Sequence, residues 1–377
     1  MRYRKLGKTN EDVSILGFGC MRFPEIDGRI DEEKTITMLR YAIDNGLNYI
    51  DTAYPYHNGQ SEVVVGKALK NGYREKVKLA TKLPSWLIKN RDDMDRVIKE
   101  QLEKLETDYI DFYLIHNLNK NDYKRLKENG LFDFIKKIKK EKLVRYVGFS
   151  FHDTFDVFKE IVDDYDWDFA QIQYNYIDED YQAGNEGLLY ARNKGLGIVI
   201  MEPLRGGSLV NNLSPEIKAI IRDSKIEKAA PMWAFKFLYN KDEIDVVLSG
   251  MSTIEQVIDN LKIADNEGIP NSMTSEEEET LNKLKVEFKS KIKVNCTGCK
   301  YCIPCPVGVD IPKCFELLNN SSMFNDIETP KSKYNAFVVS ENAQASNCVK
   351  CGACEKKCPQ HIKIREKLEE VVNTLEN

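Results

Sequence analysis

No apolar run in this 377-residue chain approaches the ~18 residues that would cross a bilayer, which argues against a helical membrane protein. The N-terminus, MRYRKLGKTNEDV, lacks the apolar stretch of a signal peptide, so a cytoplasmic location is expected. Positive charge is not in excess either. Against 60 Asp and Glu stand 55 Lys and Arg, a formal net charge of -5, and the basic residues are scattered along helical stretches beside acids. No cationic stripe remains to displace counterions from a phosphate backbone, so nucleic acid is not an expected partner. No GxGxxG follows the first strand-like run, and the phosphate loop of a Rossmann fold is therefore missing. Of the ten cysteines, only Cys20 precedes residue 296.

Eight of the other nine are concentrated in two runs, Cys296-TG-Cys299-KY-Cys302-IP-Cys305-Pro and Cys348-VK-Cys351-GA-Cys354-EKK-Cys358-Pro, and Cys314 lies between them. The second has the bacterial ferredoxin spacing, in which three close thiolates hold one [4Fe-4S] cluster and the fourth, before proline, reaches the other. Crossing the ligands in that way gives Cys296, Cys299, Cys302 and Cys358 to one cubane and Cys348, Cys351, Cys354 and Cys305 to a second. CxxC pairs also make zinc sites, and structural zinc is the main rival. Continuous CxxCxxC register favours iron. Disulfides are remote for a cytosolic chain, whose thiols stay reduced.

Upstream of the cysteines, apolar runs at 15–19, 47–51, 77–82, 109–116, 144–150, 169–174, 197–202 and 246–250 read as strands. Between them apolar residues recur three and four apart, as in Ile36-Leu39-Ile43, Leu102-Leu105, Phe134-Ile138 and Val157-Ile161, and read as helices. Eight βα units with strands apolar on both faces predict an α/β fold, a closed (β/α)8 TIM barrel, for which ~250 residues suffice. The barrel is expected over 1–290. A small, mainly helical, ferredoxin-like iron-sulfur domain with two clusters is expected over 291–377, since 42 residues separate Cys305 from Cys348.

In such a barrel the chemistry sits at the C-terminal strand ends. Asp51 and Tyr56 follow the second strand in IDTAYPYH, Lys82 closes the third in LATKLP, and His116 closes the fourth in DFYLIHN. One reading connects them. Tyr56 is a general acid whose pKa a lysine ammonium lowers, Asp51 anchors that lysine, and His116 orients a carbonyl oxygen.

With these motifs in order, the chain resembles an aldo-keto reductase from KLGKTNEDVSILGFGCMRFP to about Asn260, and it is similar to the subgroup that carries a C-terminal CTGCxYCxPCPxGVDIP and CxxCGxCExxCPQxI module. The offset of five from the aspartate selects Tyr56 over Tyr54. The resemblance implies a nicotinamide dinucleotide, NADP(H) or NAD(H), held without a Rossmann fold. Ser150 and Gln171 match residues that hold the carboxamide, Leu204, Gly206 and Gly207 the pyrophosphate loop to which Arg205 adds charge, and Gly250, Ser252, Gln256 and Asn260 the adenine end. Two departures stand out. Met201 occupies the place of the aromatic residue under the nicotinamide, and SGMSTIEQ lacks the Lys and Arg that usually grip a 2'-phosphate.

Several other residues read as structural. His57 and His152 are expected in loops, Trp86 as a pocket wall or as packing, and Cys20 and Cys314 as small buried groups. The run Glu276 to Glu279 after Thr274 reads as a capped helix N-terminus.

The function expected is an oxidoreductase that reduces a carbonyl or oxidises an alcohol, linked through its clusters to a ferredoxin or flavoprotein partner. A hydride carries two electrons and a cubane takes one, so a flavin would be a fitting intermediary, although no flavin fingerprint occurs. The alternative is an electron-transfer or redox-sensing iron-sulfur protein whose barrel is an idle docking scaffold.

Overall fold

In the computed structural model, eight parallel strands close on themselves in chain order: β1 (Leu16–Gly19), β2 (Tyr49–Asp51), β3 (Lys78–Pro84), β4 (Ile110–Leu118), β5 (Val144–Phe151), β6 (Phe169–Gln173), β7 (Gly197–Met201) and β8 (Val246–Gly250). The structure describes residues 1–377 apart from 212, 227, 297, 299–301 and 359. Each of these eight barrel strands was legible as an apolar run, because a strand covered on both faces needs no polar alternation.

Strand side chains fill the barrel. Tyr49, Phe112, Phe169, Val199 and Val246 form one core cluster, with Phe112 5.5 Å from the Tyr49 ring and 5.3 Å from that of Phe169. An antiparallel hairpin, Tyr3–Lys5 with Asp12–Ser14, adds Leu6 and Val13 to that cluster. A Cβ on Gly197, the first residue of β7, would fall 2.6 Å from Leu6 Cγ, so the missing side chain admits the plug.

The helices bury most of the residues their periodicity marked, although Ile36, Leu102 and Val157 are only half-buried. Arg91–Leu105 hides Met94, Val97, Ile98 and Leu105 and opens with a reciprocal cap between Asn90 and Asp93. Leu131–Lys140 hides Phe134, Ile135 and Ile138, and Phe155–Asp164 hides Phe158, Ile161 and Val162.

The chain forms two compact units, Met1–Gly206 with Pro231–Met273, and Gly207–Ala230 with Thr274–Asn377. The second is mainly helical. Ser275–Ser290 starts at a capping box in which Glu277 N donates to Thr274 Oγ1 (3.2 Å) and Thr274 N donates to Glu277 Oε2 (2.8 Å). Ile311–Met323 and Ile364–Val371 enclose a separate core of Val309, Phe315, Leu318, Tyr334, Leu368 and Val371. Among the described residues no helix is long and apolar enough to cross a membrane.

Candidate active site and cysteine centre

Strand register brings the polar strand ends together. Gly19 pairs with Asp51, Pro84 with His116, Ser150 with Gln171 and Gln173 with Met201, and Gly250 closes the ring against Gly19. At the centre Lys82 Nζ donates to Asp51 Oδ1 (2.6 Å) and to the Thr52 carbonyl (2.8 Å), with the two side chains 0 % and 2 % exposed. The ammonium lies 5.1 Å from the centre of the Tyr56 ring, and the His116 ring meets Tyr56 edge-on at 6.1 Å. Asp51, Tyr56, Lys82 and His116 thus form one cluster.

Burial dominates its electrostatics. It pushes the Tyr56 phenol up, with Lys82 pulling the other way, so the lowered pKa expected from sequence is not the net result. Burial disfavours the Lys82 charge, and Asp51 and Tyr56 more than reverse this, holding the ammonium above its ordinary value. Burial and the nearby Lys82 charge drive His116 well below the usual imidazole range, so the ring is neutral at pH 7. Cys20 is buried beside the same charges and its thiol is pushed up, which leaves it inert.

Around this cluster are buried atoms still lacking a partner: Asp51 Oδ2, His116 Nδ1 and Gln171 Oε1. Gln171 Nε2 points at Met201 Sδ (3.6 Å), and Ser150 Oγ accepts from Asn117 N (2.7 Å), leaving its own proton to donate. An amide acceptor buried at a strand end with no donor fits a carboxamide. Trp86, 40 % exposed, stands 5.1 Å from the His116 ring and forms a wall beside it.

Sequence reasoning did not foresee how several residues are tied down. His57 Nε2 accepts from Phe23 N (3.2 Å) while Nδ1 faces Glu25 Oε1 (2.6 Å), so the ring clamps its loop. Arg205 is held to Asp178 (3.2 Å), which also accepts from Gln173 and Asn175. Ser252 Oγ donates to the Arg22 carbonyl (2.7 Å), Gln256 Oε1 accepts from Ser252 N (2.8 Å), and Asn260 Nδ2 donates to Ser249 Oγ (3.0 Å). Gly206 and Gly207 have φ of +65° and +96°, a region open to glycine, while Leu204 leads into their turn.

In the second unit, Cys296, Cys302, Cys305, Cys348, Cys354 and Cys358 pack partly buried against its core, and Cys351 is exposed. Cys299 lies outside the described residues. None of the described cysteines is in a disulfide. Lys350 N donates to Cys348 Sγ (3.4 Å), the hydrogen bond a thiolate ligand accepts. Among the described residues no three His, Cys, Asp or Glu side chains converge on a point where one ion could bind. Cubane ligands need no such convergence, because each holds a different iron, and an all-sulfur donor set around an apolar core fits a cluster. Cys314 is different. Fully buried, 3.7 Å from the Tyr334 hydroxyl, its thiol is pushed up to about 12.

Comparison with known proteins agrees with this architecture. Residues 15–278 match the sequence profile of the aldo/keto reductase family. The chain belongs to that family. Residues 295–362 of this reductase match the 4Fe-4S dicluster domain, so the barrel of an oxidoreductase is followed by an iron-sulfur domain. L-galactose dehydrogenase of Arabidopsis thaliana is 28 % identical over 308 residues, 75 % of this chain and 95 % of the plant protein. Aldo-keto reductase AKR11C1 from Bacillus halodurans, in its holo form, superposes with a TM-score of 0.64 at 28 % identity, covering 75 % of this reductase and 96 % of its own chain. The thermostable aldo-keto reductase Tm1743, solved with the inhibitor epalrestat, gives a TM-score of 0.62 at 26 % identity, over 75 % and 99 % of the two chains.

Proposed function

We propose that the barrel interconverts a small carbonyl compound and its alcohol using NADP(H) or NAD(H), and that the cysteine-rich unit carries two [4Fe-4S] clusters for electron transfer. What carries the first part is the buried Lys82 ammonium, which touches Asp51 on one side and Tyr56 on the other beside a neutral imidazole. The bound nicotinamide supplies the hydride. Tyr56 gives its hydroxyl proton to the carbonyl oxygen, and the Lys82 charge steadies the phenolate left behind. Asp51 keeps Lys82 charged in a buried place. His116 orients the oxygen as a neutral ring.

Ser150 and Gln171 are assigned to the carboxamide, and Met201 to the face of the nicotinamide ring. Leu204, Gly206 and Gly207 turn the backbone toward the pyrophosphate, while Gly250, Ser252, Gln256 and Asn260 shape the adenine end. For the clusters, Cys296, Cys299, Cys302 and Cys358 form one ligand set and Cys348, Cys351, Cys354 and Cys305 the other. Because a cubane takes single electrons and a hydride brings a pair, the electron partner is a ferredoxin or flavoprotein rather than the nicotinamide alone.

Protein purified without oxygen, with its iron and sulfide determined, should oxidise NADPH or NADH when given aromatic aldehydes and quinones. A preparation with full iron content that oxidises neither with any carbonyl would favour an idle barrel serving an electron-transfer protein.

A further inference from the structure

Lys82 is fastened from behind as well as at its ammonium. Strand β3 pairs with β2 only as far as Ala80, whose carbonyl accepts from Thr52 N at 2.9 Å. Carbonyls alternate along a strand, so the next one facing that edge belongs to Lys82, beyond the last residue of β2. A side chain fills the missing place. Gln101, on the helix Arg91–Leu105, donates from Nε2 to the Lys82 carbonyl at 2.9 Å. The same Nε2 lies 2.8 Å from Glu62 Oε1 and 3.2 Å from Thr81 Oγ1, while Gln101 Oε1 accepts from the Tyr113 hydroxyl at 2.8 Å. Thr81 in turn donates to Glu62 Oε1 at 2.7 Å.

Glu62, Thr81 and Gln101 are each fully buried. Three polar side chains hidden at one point between two helices and a strand cost more than apolar packing would, unless direction matters there. Here it does. Thr81 and Lys82 are successive residues of β3 and face opposite sides, so a grip on Thr81 and on the Lys82 carbonyl fixes the root of a side chain that enters the barrel mouth. Glu62 is itself held from its other oxygen, with Lys104 Nζ 3.6 Å from Oε2. Its neighbour on the helix Gln60–Ala68, Ser61, serves the far end of the lysine: Thr52 gives its carbonyl to Lys82 Nζ at 2.8 Å, and Thr52 Oγ1 lies 2.9 Å from Ser61 Oγ. One helical turn therefore steadies both the root of Lys82 and an acceptor of its ammonium.

We propose that Gln101, braced by Glu62, is a positioning residue for Lys82 and keeps the ammonium between Asp51 and Tyr56. This rests on the reductase reading given under Proposed function. Both residues act through the lysine, from the helix side of β3. A small displacement of Lys82 weakens its hold on the Tyr56 phenolate and leaves the nucleotide contacts as they are.

The test is steady-state kinetics on the full-length protein, purified without oxygen, with NADPH and an aromatic aldehyde in one direction and NADP+ with the matching alcohol in the other. Gln101→Met keeps the length of the side chain and removes its hydrogen bonds, Thr81→Val is a milder change that unties Glu62 from the strand, and Glu62→Gln keeps an acceptor for both partners. Leu6→Ala, in the barrel core, is the stability control. Gln101→Met should lower kcat roughly tenfold or more, leave the NADPH dissociation constant within about twofold, and move the rise of alcohol oxidation to higher pH, because the phenolate loses part of the Lys82 charge. Thr81→Val should move kcat and the pH dependence in the same direction, and Glu62→Gln should stay close to wild type in both. Leu6→Ala should melt at a lower temperature with both unchanged. Wild-type kcat and pH dependence in Gln101→Met and Thr81→Val, or in Thr81→Val alone if the other does not fold, would overturn the inference and leave the reductase reading standing. Wild-type protein that turns over no carbonyl would overturn the reductase reading, and this inference with it.

Discussion

Lys82 holds the strand ends together electrostatically, because two buried groups, Asp51 and Tyr56, are arranged around its single charge. Replacing it with Met strands a buried carboxylate, and a loss of about 3–5 kcal/mol is expected in urea unfolding. The double change Asp51→Leu with Lys82→Met removes both charges and should recover much of that stability while remaining inactive. The pH profile follows from the directions at Tyr56 and His116. An acid whose pKa burial raises stays protonated to higher pH, and a base whose pKa burial depresses stays neutral to lower pH. Carbonyl reduction, which consumes the Tyr56 proton, should therefore stay flat in kcat/KM from roughly pH 6 to 9, whereas alcohol oxidation, which needs the phenolate, should climb across that range. A reduction rate that falls with a midpoint near neutrality would contradict this. The four residues were visible in the sequence because DTA, TK and LIH punctuate strand ends, but the sign of the net shift on Tyr56 was not. Burial outweighs the lysine there, and burial is a property of the assembled barrel.

Elements were legible where their patterns are long. Apolar runs of five or more residues marked β1 to β8, and the acidic run Glu276 to Glu279 after Thr274 announced the capped start of Ser275–Ser290. Thr274→Ala removes the acceptor for Glu277 N and should cost about 1 kcal/mol, read as a lower melting temperature. The hairpin Tyr3–Lys5 with Asp12–Ser14 carried no comparable signal, since three-residue strands have no measurable period. Its importance lies in Leu6, buried in the barrel core. Leu6→Ala leaves a cavity there and should destabilise by about 2–5 kcal/mol in the same assay. Loop contacts were illegible for another reason. Nothing in the spacing of Arg205 and Asp178, or of His57 with Phe23 and Glu25, shows that they pair, because each pairing is made by separate loops meeting in space.

The whole molecule joins in one chain an aldo/keto reductase barrel and a 4Fe-4S dicluster domain, to which we assign by proposal hydride transfer and single-electron transfer respectively. Two filled clusters mean about eight irons per chain. Removing them with a chelator under oxidising conditions should bleach the protein without abolishing NADPH-dependent carbonyl reduction, if the barrel's own residues do that work. The central claim, that Tyr56 is the proton donor of a working reductase site, is tested most directly by Tyr56→Phe purified without oxygen, with carbonyl-dependent NADPH oxidation and the visible cluster spectrum measured on the same sample. The expected result is a fall in kcat of about 10²–10⁴-fold with cluster absorbance and NADPH affinity unchanged. Turnover at the wild-type rate in that variant would contradict the account.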